Sequence, residues 1–156
     1  MNKSAKGDGN MLPTFDFLDQ LIYAARCQEH ICKSLLEEYK LRASELDVLM
    51  FLALHPDVHT AKEICDDRLI AKSLVSTSVE MLVSRGFIAR CTDPADRRRT
   101  LLTLLPEADA IVARAAAMTD TFAAQVCTGI SPEDMRTFER VLAQMRHNMN
   151  EIVSSV

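Results

Sequence analysis

Glycine is scarce in this sequence: four residues in 156, two of which, Gly7 and Gly9, stand in the first ten positions. No glycine-rich loop can therefore cradle a phosphate, and neither a G-x-S-x-G nucleophile elbow nor an H-E-x-x-H zinc helix occurs. No Ser, His and Asp fall at spacings that suggest nucleophilic catalysis, so the expectation is a chain that is not an enzyme and needs no cofactor. Long apolar runs are also missing. The longest, Val48–Leu54, falls far short of a membrane span. The first ten residues, MNKSAKGDGN, lack the apolar stretch of a signal peptide, which makes the cytoplasm the expected address and excludes a membrane partner. The five cysteines, Cys27, Cys32, Cys65, Cys91 and Cys127, include no C-x-x-C pair. An odd, scattered set argues against a disulfide framework or a zinc knuckle and for small, reduced, partly buried hydrophobes.

What is present is ordinary globular material, 48% apolar and 26% charged, enough for one domain with a real core. The net charge is −4, yet residues 60–100 hold eight Lys/Arg against six Asp/Glu. This stretch is basic relative to its host, a first sign of an anionic partner.

Periodicity divides the chain. Phe15, Leu18, Ile22, Ala25, Cys32 and Leu36 recur at helical spacing and predict one long amphipathic helix over 13–38. Ser44 with Asp47 resembles a capping box for a second helix over 45–54, stopped by His55-Pro56. Thr60-x-x-Glu63 is a full capping box for a third over 61–68, and a fourth over 71–85 ends at Gly86. Two short strands, 87–92 and 99–104, flank a Thr-Asp-Pro-Ala-Asp turn. Pro106 suits the start of a long fifth helix reaching Gly129, and Ser131-Pro132-Glu133-Asp134 opens a sixth. The expected fold is mainly α with a small β-hairpin: a winged helix-turn-helix flanked by long dimerisation helices. Its divisions are a flexible tail at 1–12, a dimerisation helix at 13–43, the winged helix-turn-helix at 44–105 and C-terminal dimerisation helices at 106–156. The apolar stripes carrying Phe15, Leu18, Met145, Met149 and Ile152 exceed what a compact monomer buries, and a two-fold homodimer covers them most simply.

On the fourth helix Leu74, Val75, Ser78, Val79, Leu82 and Val83 form the expected buried side, opposite Lys72, Ser73, Ser76, Thr77 and Glu80. A short, hydroxyl-rich face of this kind can enter a major groove, with Lys72, Ser73, Ser76 and Thr77 as the DNA-binding candidates. The hairpin tip adds Arg97, Arg98 and Arg99, with Asp96 two residues from Arg98 and close enough to brace its guanidinium. Such arginines suit a minor groove and its phosphates.

The segments AKSLVSTSVEMLVSRGFIAR at 71–90 and DPADRRRTLLTLLPEA at 93–108 resemble the MarR (multiple antibiotic resistance regulator) family of winged-helix transcription factors. Leu82, Gly86, Phe87, Ile88 and Arg90 fit its helix-to-strand step, and Asp96 and Arg98 its wing. The sequence departs from the family at Leu104-Leu105-Pro106-Glu107-Ala108, where Leu-Thr-x-x-Gly is usual, and in DDRLIAKS, which lacks a small turn residue. The resemblance implies a homodimer on double-stranded DNA, acting as a ligand-responsive repressor. It also implies a small aromatic or anionic effector between the dimer helices and the winged domain, where Arg26, Met50 and Phe51 are candidates for the lining. Two other readings compete: a winged-helix module that docks protein, and a redox sensor through Cys27 or Cys127. Cys27 and His30 have an i,i+3 spacing that can ligate zinc, but no third ligand is identifiable, so no metal is expected.

Overall fold

The computed structural model describes residues 13–56 and 60–155, with side chains from residue 18 onward. The side chain of Phe15 and the flexible tail expected at 1–12 thus fall outside the described residues or side chains. The order is α1 (Pro13–Tyr39), α2 (Ala43–Leu54), α3 (Ala61–Arg68), α4 (Lys72–Ser84), β1 (Ile88–Thr92), β2 (Thr100–Leu104), α5 (Asp109–Val126) and α6 (Pro132–Ser154). Helices dominate, and the two strands pair antiparallel, with Ile88 opposite Leu104, Arg90 opposite Leu102 and Thr92 opposite Thr100. This is the predicted fold class. Two compact units divide the chain, the first ending at Asp120 and the second beginning at Thr121.

The first unit is built on one apolar cluster. Leu35 of α1, Leu49 and Phe51 of α2, Ile64 of α3, Val75, Val79 and Leu82 of α4, Ile88 of β1 and Ile111 of α5 are all buried within it. Removing each such side chain from water stabilises the fold by roughly 1.5–3 kcal/mol, and truncating Phe51 to Ala would cost about 3–5 kcal/mol. Leu74, expected on the buried side of α4, is instead exposed. Leu74 and Val75 are adjacent on the helix, and the inward arc takes Val75 with Ser78, Val79 and Leu82. Buried Ser78 keeps its hydroxyl satisfied by donating to Ser44 Oγ across α2 at 2.9 Å.

Ser44 therefore does not cap α2. The helix starts earlier than expected, at Ala43, and Glu45 Oε2 accepts the Arg42 N–H at 3.1 Å. Glu45 is itself buried, and Arg85 answers its charge from 4.0 Å. Arg85 also donates to the carbonyls of Tyr39 and of Lys40, the latter at 3.0 Å, while its guanidinium lies 4.9 Å over the Phe87 ring. One side chain thus ties the end of α1, the start of α2 and the entry to β1. At the α3 to α4 turn, the missing small residue is replaced by Leu69 in the left-handed region, φ +52°, a conformation that costs a non-glycine residue about 1–2 kcal/mol. Gly86 takes the same region after α4 without that penalty, φ +73°.

The unusual junction after the wing is a 3-10 turn, Pro106–Ala108, and the Leu105 N–H donates to Phe87 O at 3.0 Å. The fifth helix is consequently shorter than predicted, 18 residues, ending at Val126 rather than near Gly129. In the second unit, Ser131 Oγ accepts the Asp134 N–H at 3.1 Å and caps α6. Along α6, Phe138, Val141, Met149, Ile152 and Val153 remain exposed, and Met145 is half-buried. Leu18, Leu21, Ile22 and Tyr23 are exposed along α1.

Candidate nucleic-acid interface

Lys72, Ser73, Thr77 and Glu80 occupy the polar side of α4; Lys72, Ser73 and Glu80 stand exposed, with Ser76 beside them. Thr77 Oγ1 donates to Ser73 O at 2.9 Å, so its hydroxyl proton is used within the helix and its oxygen is left as an acceptor. Lys72 is the first residue of α4, where the helix dipole disfavours a cation. Its position does nothing for the helix and suits an external anion.

Two grooves flank this face. One, of about 230 Å³, is lined by Ala61, Ser76, Val79, Arg90, Thr100 and Leu102, joining α3, α4 and both strands. The other, of about 520 Å³, runs between α3 and α4 and includes Lys62, Cys65, Asp66, Leu69, Lys72 and Ser76. The structure thus adds Lys62 and Arg90 to the candidates. Both belong to the basic residues of segment 60–100, and that excess of charge was the signal that could have named them.

The wing is ordered by its acids, though not as the sequence suggests. Asp93 Oδ1 accepts the Ala95 N–H at 2.8 Å, and Asp96 Oδ1 accepts the Arg98 N–H at 3.0 Å. Asp96 therefore braces the backbone beneath Arg98 rather than its guanidinium, because a carboxylate two residues back reaches the amide first. The braced guanidinium is that of Arg99. It lies 3.2 Å from Glu63 Oε1 on α3 and 3.7 Å from Asp93 Oδ2. Glu63 also closes the Thr60 capping box, accepting the Thr60 N–H and hydroxyl at 2.8 Å each. A continuous polar chain runs from the start of α3 into the wing. Among the described residues, no ion pair engages Arg97 or Arg98. These two are the open charges of the tip.

The residues assigned to an effector crevice separate. Met50 lines a crevice of about 350 Å³ in the first unit, together with Cys32, Leu36 and Leu46. Phe51 does not; it is buried, with its ring 4.5 Å from that of His55 and beneath the Arg68 guanidinium at 5.3 Å. Consecutive helical residues point about 100° apart, and here that turn carries Phe51 into the core while Met50 stays at the crevice. Arg26 is exposed on α1 and outside the lining, whose cation is Arg68. Desolvation raises the Asp47 pKa, Arg68 lowers it and Glu29 raises it again, leaving it above the usual carboxylate range. Burial, then Asp47, push the Cys32 thiol up and keep it protonated. Among the described residues, no group of three or more His, Cys, Asp or Glu could hold a metal ion.

Residues 39–99, from the last residue of α1 to the third wing arginine, match the MarR family model. Over this stretch the chain is similar to the MarR family. A curated relative, the uncharacterized HTH-type transcriptional regulator YdgJ of Bacillus subtilis (strain 168), is 27% identical over 104 residues, 67% of this chain. That alignment spans 63% of the relative's own length. Among solved structures, transcriptional regulator PA3341 has a TM-score of 0.76 at 24% identity, over 86% of this chain and 98% of that one. A MarR-family transcriptional regulator from Listeria monocytogenes, complexed with 26mer DNA, has a TM-score of 0.77 at 14% identity, over 86% and 89%. These two share their fold with this chain. The departures from the MarR pattern, the 3-10 junction and the left-handed Leu69, leave that fold intact.

Proposed function

We propose that this chain is a homodimeric, sequence-specific DNA-binding transcriptional regulator that acts as a ligand-responsive repressor in the cytoplasm. The observation that carries the reading is the convergence of α4's polar face with Lys62, Arg90 and the two unpaired wing arginines on one winged helix. In this reading α4 enters a major groove, with Lys72, Ser73, Ser76 and Thr77 toward bases and phosphates. Arg97 and Arg98 reach the adjacent minor groove, while Arg99 holds the wing at the angle that delivers them. The solved Listeria monocytogenes neighbour, with its 26mer DNA, supports this use of the fold. Among the described residues no helix is long and apolar enough to cross a membrane.

The exposed apolar residues of α1 and of α6 support the dimer, since Leu18, Met149 and Ile152 are each about half exposed or more in the single chain. A two-fold dimer presents two α4 helices about one DNA turn, roughly 34 Å, apart. Selection of bound sites from random duplex DNA tests the reading. Enrichment of a pseudopalindrome with half-site centres about 10 base pairs apart is the expected result. Recovery of no enriched sequence, or binding that ignores salt, would overturn it in favour of protein docking.

A further inference from the structure

The crevice of the first unit carries the wrong charge for an anion. Its walls combine apolar residues, Cys32, Leu36, Leu46, Met50 and Leu54 among them, with the polar Gln28 and Thr119, and about 350 Å³ admits a small organic molecule. Three charged residues line it: Glu29 on α1, Asp47 on α2 and Arg68 at the end of α3. The single cation is already engaged, since Arg68 Nε lies 3.8 Å from Asp67 Oδ2 and its guanidinium covers the Phe51 ring. Two carboxylates therefore line the crevice against one committed guanidinium. We infer that the crevice takes an organic cation with an aromatic or apolar body, not the aromatic anion that the family resemblance implies.

Desolvation is what raises the Asp47 pKa; Arg68 lowers it, and repulsion from Glu29 makes the smallest contribution, a rise. A bound ammonium would relieve the repulsion, whereas a carboxylate ligand would add a third negative charge. The protonated Cys32 thiol adds no charge of its own. No α4 residue lines the crevice, but Arg68 connects it along the chain to the proposed reading helix. Arg68 is the last residue of α3, and the left-handed Leu69 follows it directly into the turn before α4.

The inference rests on the ligand-responsive reading proposed above, and two measurements separate the failure of one from failure of the other. Titration calorimetry on the full chain would compare benzyltrimethylammonium with salicylate. The cation should bind, salicylate should neither bind more tightly nor displace it, and Asp47→Asn and Glu29→Gln should each weaken the cation about fivefold. Preference for salicylate, no heat from the cation at millimolar concentration, or variants that bind it unchanged would overturn the inference. Circular dichroism would establish that both variants are folded. Fluorescence anisotropy with a selected duplex then supplies the second arm. Release of DNA by the cation, lost in Asp47→Asn, supports both readings; cation binding without any change in DNA affinity supports the occupant's class and overturns ligand responsiveness.

Discussion

Glu63→Gln separates bracing from simple electrostatics. Glutamine keeps a carbonyl oxygen for the Thr60 box, so α3 retains its cap, but it cannot hold the Arg99 guanidinium now 3.2 Å away with a full charge. The substitution removes a negative charge from the side proposed to face DNA, and charge alone says that binding should tighten. Bracing says the opposite. Arg99 and Glu63 are each close to half exposed, so the ion pair itself contributes about 0.2–1 kcal/mol. Asp93 still holds Arg99 from 3.7 Å, so ordering the loosened side chain and wing again on the duplex adds at most about 1.5 kcal/mol. A net loss of about 1 kcal/mol, roughly fivefold in Kd, is expected. Anisotropy titrations with a labelled operator duplex between about 50 and 200 mM salt would measure it, where the salt slope reports how many phosphates are neutralised. Tighter binding by Glu63→Gln at every salt concentration, with the fold intact by circular dichroism, would refute the bracing argument and make Arg99 a further open charge.

Other outcomes follow from neighbouring residues. Arg98→Ala should lower the salt slope by about 0.9 for each phosphate that the side chain neutralises, so its deficit shrinks roughly threefold over the same salt range; an unchanged slope would remove Arg98 from the phosphates. Arg85→Ala should destabilise the fold by about 2–4 kcal/mol in urea denaturation, since it strands the buried Glu45 carboxylate and two carbonyls. Adding Glu45→Gln should recover part of that loss, and no recovery would show that the stranded charge is not its cause. Asp47→Asn should stabilise the chain at neutral pH. The wild-type carboxyl's folded pKa is raised, so its contribution is present below the ordinary carboxylate range and lost as pH rises through the folded value. The advantage of Asn should therefore vanish on acidification, and an advantage independent of pH in thermal melts would exclude titration as the source.

Sequence alone determined the parts whose causes are local. Thr60 and Glu63 stand three residues apart, Ser131 caps within its own first turn, and Gly86 ends α4, so these boundaries could be read directly. The hairpin and the polar face of α4 were legible for the same reason, as was the unmatched charge of segment 60–100. Tertiary structure decided whatever depends on partners distant in the chain. Arg99 meets Glu63 across 36 positions and Ser78 meets Ser44 across 34, and no spacing rule connects either pair. The wing's brace therefore fell to Arg99 rather than Arg98, and Ser44 became a packing partner of α4 rather than a cap. Likewise Met50 reaches the crevice and Phe51 the core, though both are apolar neighbours on one helix. Periodicity says that a helix has an inner face, but only the surfaces packed against it select which apolar residue lies deepest, because burial depends on the shape of the neighbours and not on the residue alone.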